Sequence, residues 1–424
     1  ASISGMLARQ YGEIGAYDAA LAMLAHSDSF AALAGNREQL IQNSCNRAAY
    51  LSNSDQTQAA HALLDSLRPR LVDGPLAVLP ECLVIQAGIL TDDQHADSAV
   101  VLARHGIALM EQRGDTGEAA YVEALDILAN ALENSHHRRA ALEVYQRLAA
   151  LLDRTGRRET VSRNAISNNI GIALSNLGQL VEAEPVLLET AEQFRRTNPE
   201  HEVHPAIMVN YARTLIELNR LDSAAIWARQ LRVQAAREKI VGLEQTALFF
   251  LARIDIARGR LDEAAATIAA FRALQPRMPR PHPEDVMQLE GMLSRARGQV
   301  AEAHDRILAA LKAGGYFEGR RGYGTRSLLA LAARTALEAG QPDEALRFAR
   351  AADSLAAEDS LAVTRSAFVG EARLLQARAL VARGDSSGAR HIIGSAITAL
   401  GAGAGPRHPL TLEAEALRKS LGGP

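Results

Sequence analysis

A short turn phrase recurs along this chain at intervals of about forty residues. It combines a small or turn residue, an acidic step and a Glu-Ala or Ala-Ala pair, as in GQLVEA at 178–183 and GRLDEA at 259–264. The turns fall at positions 15, 54, 93, 135, 178, 219, 259, 298, 340 and 384, so successive turns are 39 to 44 residues apart. A fixed period in this range is typical of repeat architectures, in which each copy is one small structural unit.

The stretches on both sides of each turn predict paired helices. Before the turn at 178 the chain reads AISNNIGIALSNL, and after it VEAEPVLLETAEQF, with apolar residues at steps of three and four in both. This spacing places the apolar residues on one face of an α-helix. Small residues such as Gly171 and Ala183 let two paired helices approach closely. A hairpin with two apolar faces cannot bury both alone, so the sequence predicts an all-α stack of about ten hairpins.

Composition excludes several functional classes. Apolar residues make up 48% of the chain and aromatic residues 4%, and the net charge is -3. We therefore expect no nucleic-acid partner, and no membrane insertion within this chain, because no uncharged apolar run reaches the roughly 18 residues that a spanning helix needs. The phosphate-binding loop, the Gly-x-Ser-x-Gly elbow, the His-Glu-x-x-His motif and the protein-kinase motifs are absent. The sequence predicts no enzyme, no cofactor and no metal site.

The repeat resembles the tetratricopeptide repeat (TPR) family over nearly the whole chain. Asn169, Asn210, the segment VEAEPVL and the His-Pro pairs are similar to the long repeats of kinesin light chains. The segment GYGTRSLLALAARTALEAGQPDEALRFARAA resembles TPR regions of bacterial signalling proteins, especially those behind serine/threonine kinase domains. The resemblance implies a right-handed superhelix over 1–407, followed by a capping helix and tail over 408–424. It also implies that the first helix of each hairpin lines an inner groove.

Arginine recurs at one position of this predicted groove. The residue six before each turn is arginine in four of five consecutive units, namely Arg213, Arg253, Arg334 and Arg378, with Met292 as the exception. Arg295 and Arg373 fall on neighbouring groove positions. A guanidinium group presents a planar fork of donors that suits carboxylate or phosphate. The column could bind an acidic segment, a C-terminal carboxylate or another anion, or its members could pair internally with acids such as Glu217, Asp255 or Glu338.

Asparagines and a glycine-rich loop add further candidates. Asn168 and Asn176 are predicted to face the groove and bind the backbone of a bound peptide, whereas Asn169 and Asn210 are predicted to join neighbouring units. The loop GGYFEGRRGYG at 314–324 is either a spacer or a cover for the groove. In the second case Arg320 and Arg321, together with Tyr323, would meet an anion.

Two further expectations concern covalent and domain structure. Cys45 and Cys82 lie about one period apart, and we expect reduced, buried thiols rather than a redox pair. The proline-rich segment QPRMPRPHP at 275–283 is the predicted place for a break or bend in the array.

The sequence therefore predicts a TPR scaffold that binds a protein or peptide. We expect it to be the non-catalytic regulatory or interaction region of a bacterial signalling protein, part of a larger protein, and either cytoplasmic or a soluble domain of a membrane-anchored protein. One alternative is a ligand-sensing domain for a small anionic molecule or a short peptide. An alternative of another class is an enzyme built on helical repeats, which would need acids or histidines grouped in a cavity.

Overall fold

The structure is a computed structural model that describes residues 2–72, 77–92, 95–117, 119–157, 160–278, 281–320, 324–357 and 363–422. These described residues form α-helices and three short 310 turns, with no β-strand among them. The predicted all-α class is confirmed. The chain divides into two compact units, Ala1–Arg157 and Arg158–Pro424.

The first unit contains four helical hairpins. Its helices are α1 (Ser2–Glu13), α2 (Tyr17–Leu33), α3 (Arg37–Asn53), α4 (Thr57–Val72), α5 (Leu79–Asp92), α6 (Ala96–Arg113), α7 (Ala119–Asn134) and α8 (Arg138–Arg154). Helices α3, α5 and α7 are the first helices of successive hairpins, and each contacts the next.

The second unit contains six hairpins and a final helix. Its helices are α9 (Val161–Asn176), α10 (Leu180–Thr197), α11 (Pro205–Glu217), α12 (Leu221–Glu238), α13 (Val241–Ala257), α14 (Leu261–Leu274), α15 (Pro283–Ala296), α16 (Val300–Ala313), α17 (Thr325–Glu338), α18 (Pro342–Ala357), α19 (Ala367–Ala382), α20 (Ser386–Gly403) and α21 (Pro409–Ser420). Helix α21 packs on α20 in the position of a cap, with Leu410 and Leu417 against the core that contains Ile393 and Leu400.

The described hairpin turns coincide with nine of the ten positions read from the sequence. Gly178 and Gly259 end their first helices with φ values of 77° and 72°, a conformation that glycine adopts without a steric penalty. In the weaker copies at 54 and 135 the left-handed residue is the next one, Asp55 or His136. At position 93 the turn lies outside the described residues, and the flanking helices α5 and α6 are both present.

The two cysteines correct one expectation. Cys45 on α3 and Cys82 on α5 form a disulfide, with Cα atoms 5.4 Å apart. The two residues are buried with Ile41 and Leu67 in one apolar cluster. The expectation of reduced thiols is wrong because the forty-residue period places both side chains at one contact between adjacent hairpins.

The proline-rich segment also differs from expectation. The boundary between the compact units falls after Arg157, whereas 275–283 lies inside the second unit. Helices on both sides of the segment share a core, in which Phe271 and Leu274 of α14 pack with Leu289 and Leu293 of α15. Apolar contacts across the prolines therefore keep the stack continuous there.

Candidate functional site

The arginine column lies on the first helices of the second unit, and three of its members contact acids on neighbouring helices. Arg253 on α13 reaches Glu217 on α11 at 2.8 Å. Arg378 on α19 reaches Glu413 on α21 at 2.6 Å. Each of these ion pairs joins two adjacent hairpins, so the column helps to hold the stack together.

Arg334 connects three helices, α17, α19 and α21, through its contacts with two acids. Its guanidinium group on α17 lies 3.4 Å from Glu371 on α19 and 3.6 Å from Glu413 on α21. The Arg334 side chain is only 13% exposed. Arg213 on α11 donates a hydrogen bond to the Asn210 amide oxygen at 3.2 Å.

These side chains belong to one group of eight charged residues, which we call the charged cluster. Its members are Arg213, Glu217, Arg253, Arg326, Arg334, Glu371, Arg378 and Glu413. Five arginines and three glutamates therefore make up the cluster. Within the cluster, Arg253 has a buried Nε atom without a hydrogen-bond partner.

Two glutamates of the cluster have opposite pKa shifts. Burial by itself would raise the pKa of Glu217, but Arg253, Arg326 and Arg213 together hold it below the ordinary value. Burial raises the pKa of Glu371, and the nearby Glu217 carboxylate adds to the rise against the opposing effect of Arg334. Three arginines thus lower the pKa of Glu217, whereas Arg334 and Arg326 act on Glu371.

A set of contacts between distant parts of the second unit brings the cluster together. The Ala367 amide donates a hydrogen bond to the Gly178 carbonyl at 2.9 Å. His408 Nε2 donates to the Glu217 carbonyl at 3.1 Å, and Arg365 pairs with Glu182 at 2.5 Å. We call this set the closing contact. It joins α9–α11 to the segments that surround α19 and precede α21.

Apolar and aromatic groups complete the closing contact. Leu180 and Leu218 pack with Ala404 and with the half-buried ring of Phe368. The Arg326 guanidinium lies over that ring, 3.4 Å from its centroid, and donates to the Asn176 carbonyl at 3.3 Å. A cation held over an aromatic face is attracted by the ring quadrupole, so Arg326 binds both sides of the contact.

Asn168 and Asn210 meet in a joint between neighbouring hairpins, the role predicted for Asn210. Asn168 is buried and its amide oxygen accepts a hydrogen bond from Asn210 at 3.1 Å, between α9 and α11. Asn168, predicted to face the groove, therefore takes part in the joint between hairpins. Asn176 lies at the end of α9 and contributes its backbone carbonyl to Arg326.

Arg295 and Arg373 have acid partners outside the cluster. Arg295 on α15 binds Glu338 on α17 through two nitrogens, at 2.9 Å and 2.6 Å. Arg373 lies 3.4 Å from Asp353 on α18, a second helix of a hairpin. The structure thus separates these two arginines from the four in the column.

The glycine-rich loop begins with a 310 turn at Tyr316–Glu318. Tyr316 packs against the core of the second unit, and Arg320 folds back over Gly315. Arg321 and Tyr323 lie outside the described residues. A groove-covering role for Arg320, Arg321 and Tyr323 stays a prediction.

A second concave surface lies in the first unit. A pocket of about 420 Å³ opens between α3, α5 and α7, with Ile85, Ile89 and Ile127 in its lining. The charged residues among its described lining are acidic, namely Asp92, Glu123 and Glu133. An anionic ligand is therefore favoured in the charged cluster and disfavoured here.

The described residues contain neither a candidate membrane span nor a candidate metal site. No described helix is long and apolar enough to span a bilayer. Within the same residues, no three His, Cys, Asp or Glu side chains are grouped in a way that could hold a metal ion.

Sequence analysis missed three members of the cluster. Arg326, Glu371 and Glu413 lie outside the repeat position that holds the column, and contacts between distant hairpins bring them in. Glu217 was named from the sequence as a possible internal partner of the column, and it pairs with Arg253. No periodic signal in the sequence identifies Arg326.

Comparisons with known proteins concern the architecture. No protein-family model matches the sequence, and no curated protein matches it. Among solved structures, the chain is similar to a putative kinesin light chain of Podosopora anserina with nearly identical TPR-like repeats, at 21% identity and a TM-score of 0.41, over 47% of this chain and 98% of that chain. It is also similar to the apo form of RapI, at 12% identity and a TM-score of 0.49, over 65% of this chain and 98% of that one. A tetratricopeptide repeat protein from Parabacteroides merdae is similar at 14% identity and a TM-score of 0.42, over 70% and 98% of the two chains.

The described hairpins confirm the TPR-type solenoid expected from the turn phrase. Two-helix units follow one another at the predicted period, and most neighbouring first helices within each unit contact each other. A fold of this kind is typical of protein-interaction scaffolds.

Proposed function

We propose that the second unit binds a negatively charged segment of a protein or peptide partner at the charged cluster. The observation that carries this proposal is the grouping of five partly exposed arginine side chains at one place in the second unit. Arg253 and Glu217 are 21% and 28% exposed, so water and a ligand carboxylate can reach the cluster. An acidic side chain or a C-terminal carboxylate would add hydrogen bonds to guanidinium groups and reduce their mutual repulsion.

The test uses fluorescein-labelled peptides and the full chain. Four ten-residue Gly/Ser probes would carry three glutamates, a free C-terminal carboxylate, both of these, or neither with an amidated C-terminus. We expect fluorescence anisotropy to show tighter binding of the first three probes than of the neutral one. Affinity should fall as salt rises because the contact is electrostatic.

A paired variant locates the binding. Arg253→Gln combined with Arg334→Gln removes two positive charges from the cluster. We expect the peptide to bind at least about tenfold more weakly, because two charge-assisted contacts of about 1 kcal/mol each are lost. Arg237→Gln is the matched control, since Arg237 on α12 is 57% exposed and paired with Glu202 at 2.8 Å. Circular dichroism must show unchanged helicity in both variants. Equal binding by the paired variant and the wild type would contradict the proposal.

A small anionic ligand is the second candidate at the same site. It is supported by the same group of arginines and by the closing contact, which brings them to one place. Pyrophosphate and citrate are suitable probes by isothermal titration calorimetry. Binding of these anions with no measurable peptide binding would favour a ligand-sensing domain over a scaffold for protein partners.

Binding rather than catalysis is proposed for the cluster acids. Glu217 and Glu371 have opposite pKa shifts, as acid–base pairs often do, but each is ion-paired with an arginine. A carboxylate held by a guanidinium group is a weak proton acceptor. The Glu371→Gln variant should therefore retain peptide binding.

We further propose that the chain is the regulatory or interaction region of a bacterial signalling protein, cytoplasmic or held at a membrane by another segment. This setting is supported by the resemblance of the C-terminal repeats to TPR regions behind serine/threonine kinase domains. Sequencing of the coding region upstream of Ala1 tests it. A kinase, membrane-spanning or DNA-binding segment in that region would support the setting, and a coding region that contains none of these would contradict it.

A further inference from the structure

Helix α1 of the first unit carries a row of large apolar side chains that face solvent. We call this row the α1 stripe, and its members are Ile3, Met6, Leu7, Tyr11 and Ile14. Ile3, Met6 and Ile14 are the most exposed of them, at 74%, 66% and 76%. The members recur at helical spacing, so they lie on one face and form a continuous patch, unlike the single exposed apolar residues that soluble surfaces normally carry.

The opposite face of α1 packs into the first unit. Ala8 is fully buried, and a Cβ atom at Gly12 would lie 2.5 Å from the ring of Tyr50 on α3. A Cβ atom at Gly5 would lie 3.7 Å from the hydroxyl of Ser27 on α2. Helix α1 therefore has partners within its own unit on one face and a second apolar face that these partners do not cover. Apolar residues on both faces are typical of a helix that is covered on both sides.

An internal hairpin shows what covers the equivalent face elsewhere in the chain. Ile207, Tyr211 and Leu215 on α11 lie twelve, eight and four positions before the turn at 219, and none of them is more than 5% exposed. They share one apolar core with Leu187 and Ala191 of α10, the second helix of the preceding hairpin. Helical apolar surface therefore covers these three positions inside the stack.

In α1 the same three positions hold apolar residues that remain exposed. Ile3, Leu7 and Tyr11 lie twelve, eight and four positions before the turn at 15, and they are 74%, 40% and 38% exposed. The α1 stripe is thus the surface that joins one hairpin to another, and it is continuous in kind with the interfaces between hairpins. An apolar helix face is the surface that fits it.

The size of the α1 stripe suits a pair of identical chains. At about 200 Å² for a fully exposed large side chain, its five members expose roughly 600 Å². Two copies that cover each other's stripe would bury roughly 1,200 Å² in total, which exceeds the about 1,000 Å² expected of a specific interface.

We propose that two copies of this chain associate through their α1 stripes, with the two helices antiparallel about a two-fold axis. Such an interface uses the same surface on both copies. Ile3 then faces Ile14 of the second copy and Met6 faces Tyr11, because both pairs are symmetric about one point near the middle of α1, and Leu7 lies beside the axis. The proposal is independent of the charged cluster, which belongs to the second unit.

The test measures the mass of the full chain in solution. Light scattering coupled to size-exclusion chromatography, and sedimentation velocity, would cover concentrations from about 1 µM to 200 µM, since interfaces of modest size are often of micromolar affinity. We expect the mass of the wild type to rise from one copy to two across this range. An assembly that grows beyond two copies would overturn the two-fold arrangement.

Two double variants test the antiparallel pairing. Ile3→Glu with Ile14→Glu places like charges opposite each other at both ends of the paired helices, and Ile3→Lys with Ile14→Lys does the same with positive charges. Each variant alone should associate at least about thirtyfold more weakly than the wild type. An equimolar mixture of the two places opposite charges together at both ends and should restore a dimer that contains one copy of each.

Val101→Glu with Val233→Glu is the matched control. These residues lie on α6 and α12, outside the α1 stripe, and are 67% and 66% exposed. The control adds the same charge as the acidic variant and should form dimers as the wild type does. Circular dichroism must show unchanged helicity in all variants, and a double variant that has lost helicity is replaced by Met6→Glu, which alters one side chain of the stripe.

Each outcome bears on the proposal. A wild type that stays monomeric over the whole concentration range overturns it. Dimers that persist in both double variants, or a control that is as monomeric as they are, overturn the assignment of the interface to α1. Double variants that are monomeric alone and also in the mixture overturn the antiparallel pairing of Ile3 with Ile14. Dimers of the wild type, the control and the mixture, with monomers of each double variant alone, support it.

Discussion

At the scale of single residues, small side chains set how closely the helices of a hairpin approach. Gly370 on α19 faces α20, where an added Cβ would lie 2.8 Å from the Leu400 amide nitrogen and 3.0 Å from the Ala396 carbonyl oxygen. Gly394 on α20 faces open space. A side chain at position 370 would therefore push the two helices apart, whereas a side chain at position 394 would meet no neighbour.

The first prediction compares these two glycines. Gly370→Ala should lower the free energy of unfolding by about 1–3 kcal/mol, because the backbones of α19 and α20 must separate. Gly394→Ala should raise it by up to about 1 kcal/mol through better helix propensity. Urea unfolding followed by fluorescence of Trp227, the single tryptophan of the chain, measures both. Equal effects of the two substitutions would contradict the close packing assigned to Gly370.

The pKa of Asp285, at the start of α15, is also set by its immediate surroundings. Burial, with a smaller contribution from Glu284, raises the pKa of Asp285 to about 6, against an opposing effect of His282. Asp285 lies in the first turn of α15, where the helix dipole favours a negative charge, but burial outweighs this effect. The folded state therefore binds the Asp285 proton more tightly than the unfolded state does.

The second prediction follows from the sign of this shift. As pH rises from 3.8 to about 6, Asp285 ionises in the unfolded chain first, so its contribution to stability falls across this range. We therefore compare the change in the free energy of unfolding that Asp285→Asn causes at pH 7.5 with the change it causes at pH 3.5. The change at pH 7.5 should be more stabilising by about 1–2 kcal/mol. Asp262→Asn, at an exposed first-turn position of α14, is the control. A pH-independent effect of Asp285→Asn would contradict the burial assigned to this carboxyl.

At the scale of helices, hairpins are joined by specific contacts in addition to apolar packing. Asn168 and Asn210 join α9 to α11, and Ser175 joins the same helices through Thr214 at 2.7 Å. In the first unit the corresponding joint is covalent, since the disulfide links α3 to α5. Each joint fixes the spacing of two first helices, and hence the inner surface between them.

The third prediction concerns the disulfide. Reduction should destabilise the α3–α5 region by roughly 2–4 kcal/mol, because the bond closes a loop of 37 residues in the unfolded chain. Hydrogen exchange should accelerate in α3–α5 after reduction and stay unchanged in α17–α20. Iodoacetamide should label neither cysteine in urea without reductant. Labelling of both would show that the thiols are free.

At the scale of the whole molecule, the closing contact changes how the second unit resists unfolding. In an open repeat stack each hairpin contacts only its neighbours, and stability is a sum over adjacent pairs. Here α10 also contacts α20, and Leu180 shares a core with Ala404. The hairpins from α9 to α20 therefore depend on one another more than the repeat alone would imply.

The fourth prediction tests this dependence at Phe368. Phe368→Ala removes the ring under Arg326 and the packing with Leu180, and should lower the free energy of unfolding by about 2–3 kcal/mol. The urea dependence of unfolding should also become less steep, as cooperativity is lost. Phe317→Ala is the matched control, since Phe317 is 58% exposed. An unchanged midpoint and slope in Phe368→Ala would mean that the closing contact adds nothing to stability.

The sequence by itself determined the local architecture. The turn phrase located the nine hairpin turns that lie within the described residues, because the left-handed residue that ends each of those first helices and the apolar spacing around it are local properties of the chain. The same period placed four arginines on first helices and brought Cys45 near Cys82. The division into units at Arg157 was not predicted, since proline content at 275–283 does not report the apolar contacts that cross it.

Only the tertiary structure decided what the arginines face. Whether Arg253 meets a ligand or Glu217 depends on the angle between adjacent hairpins, and small angles that add up over six hairpins bring Arg326 and Glu371 to the same place. No repeat unit encodes such an accumulated angle in its own residues. The closing contact at Gly178 and Ala367 arises in the same way, and it brings charged residues from distant helices into one cluster.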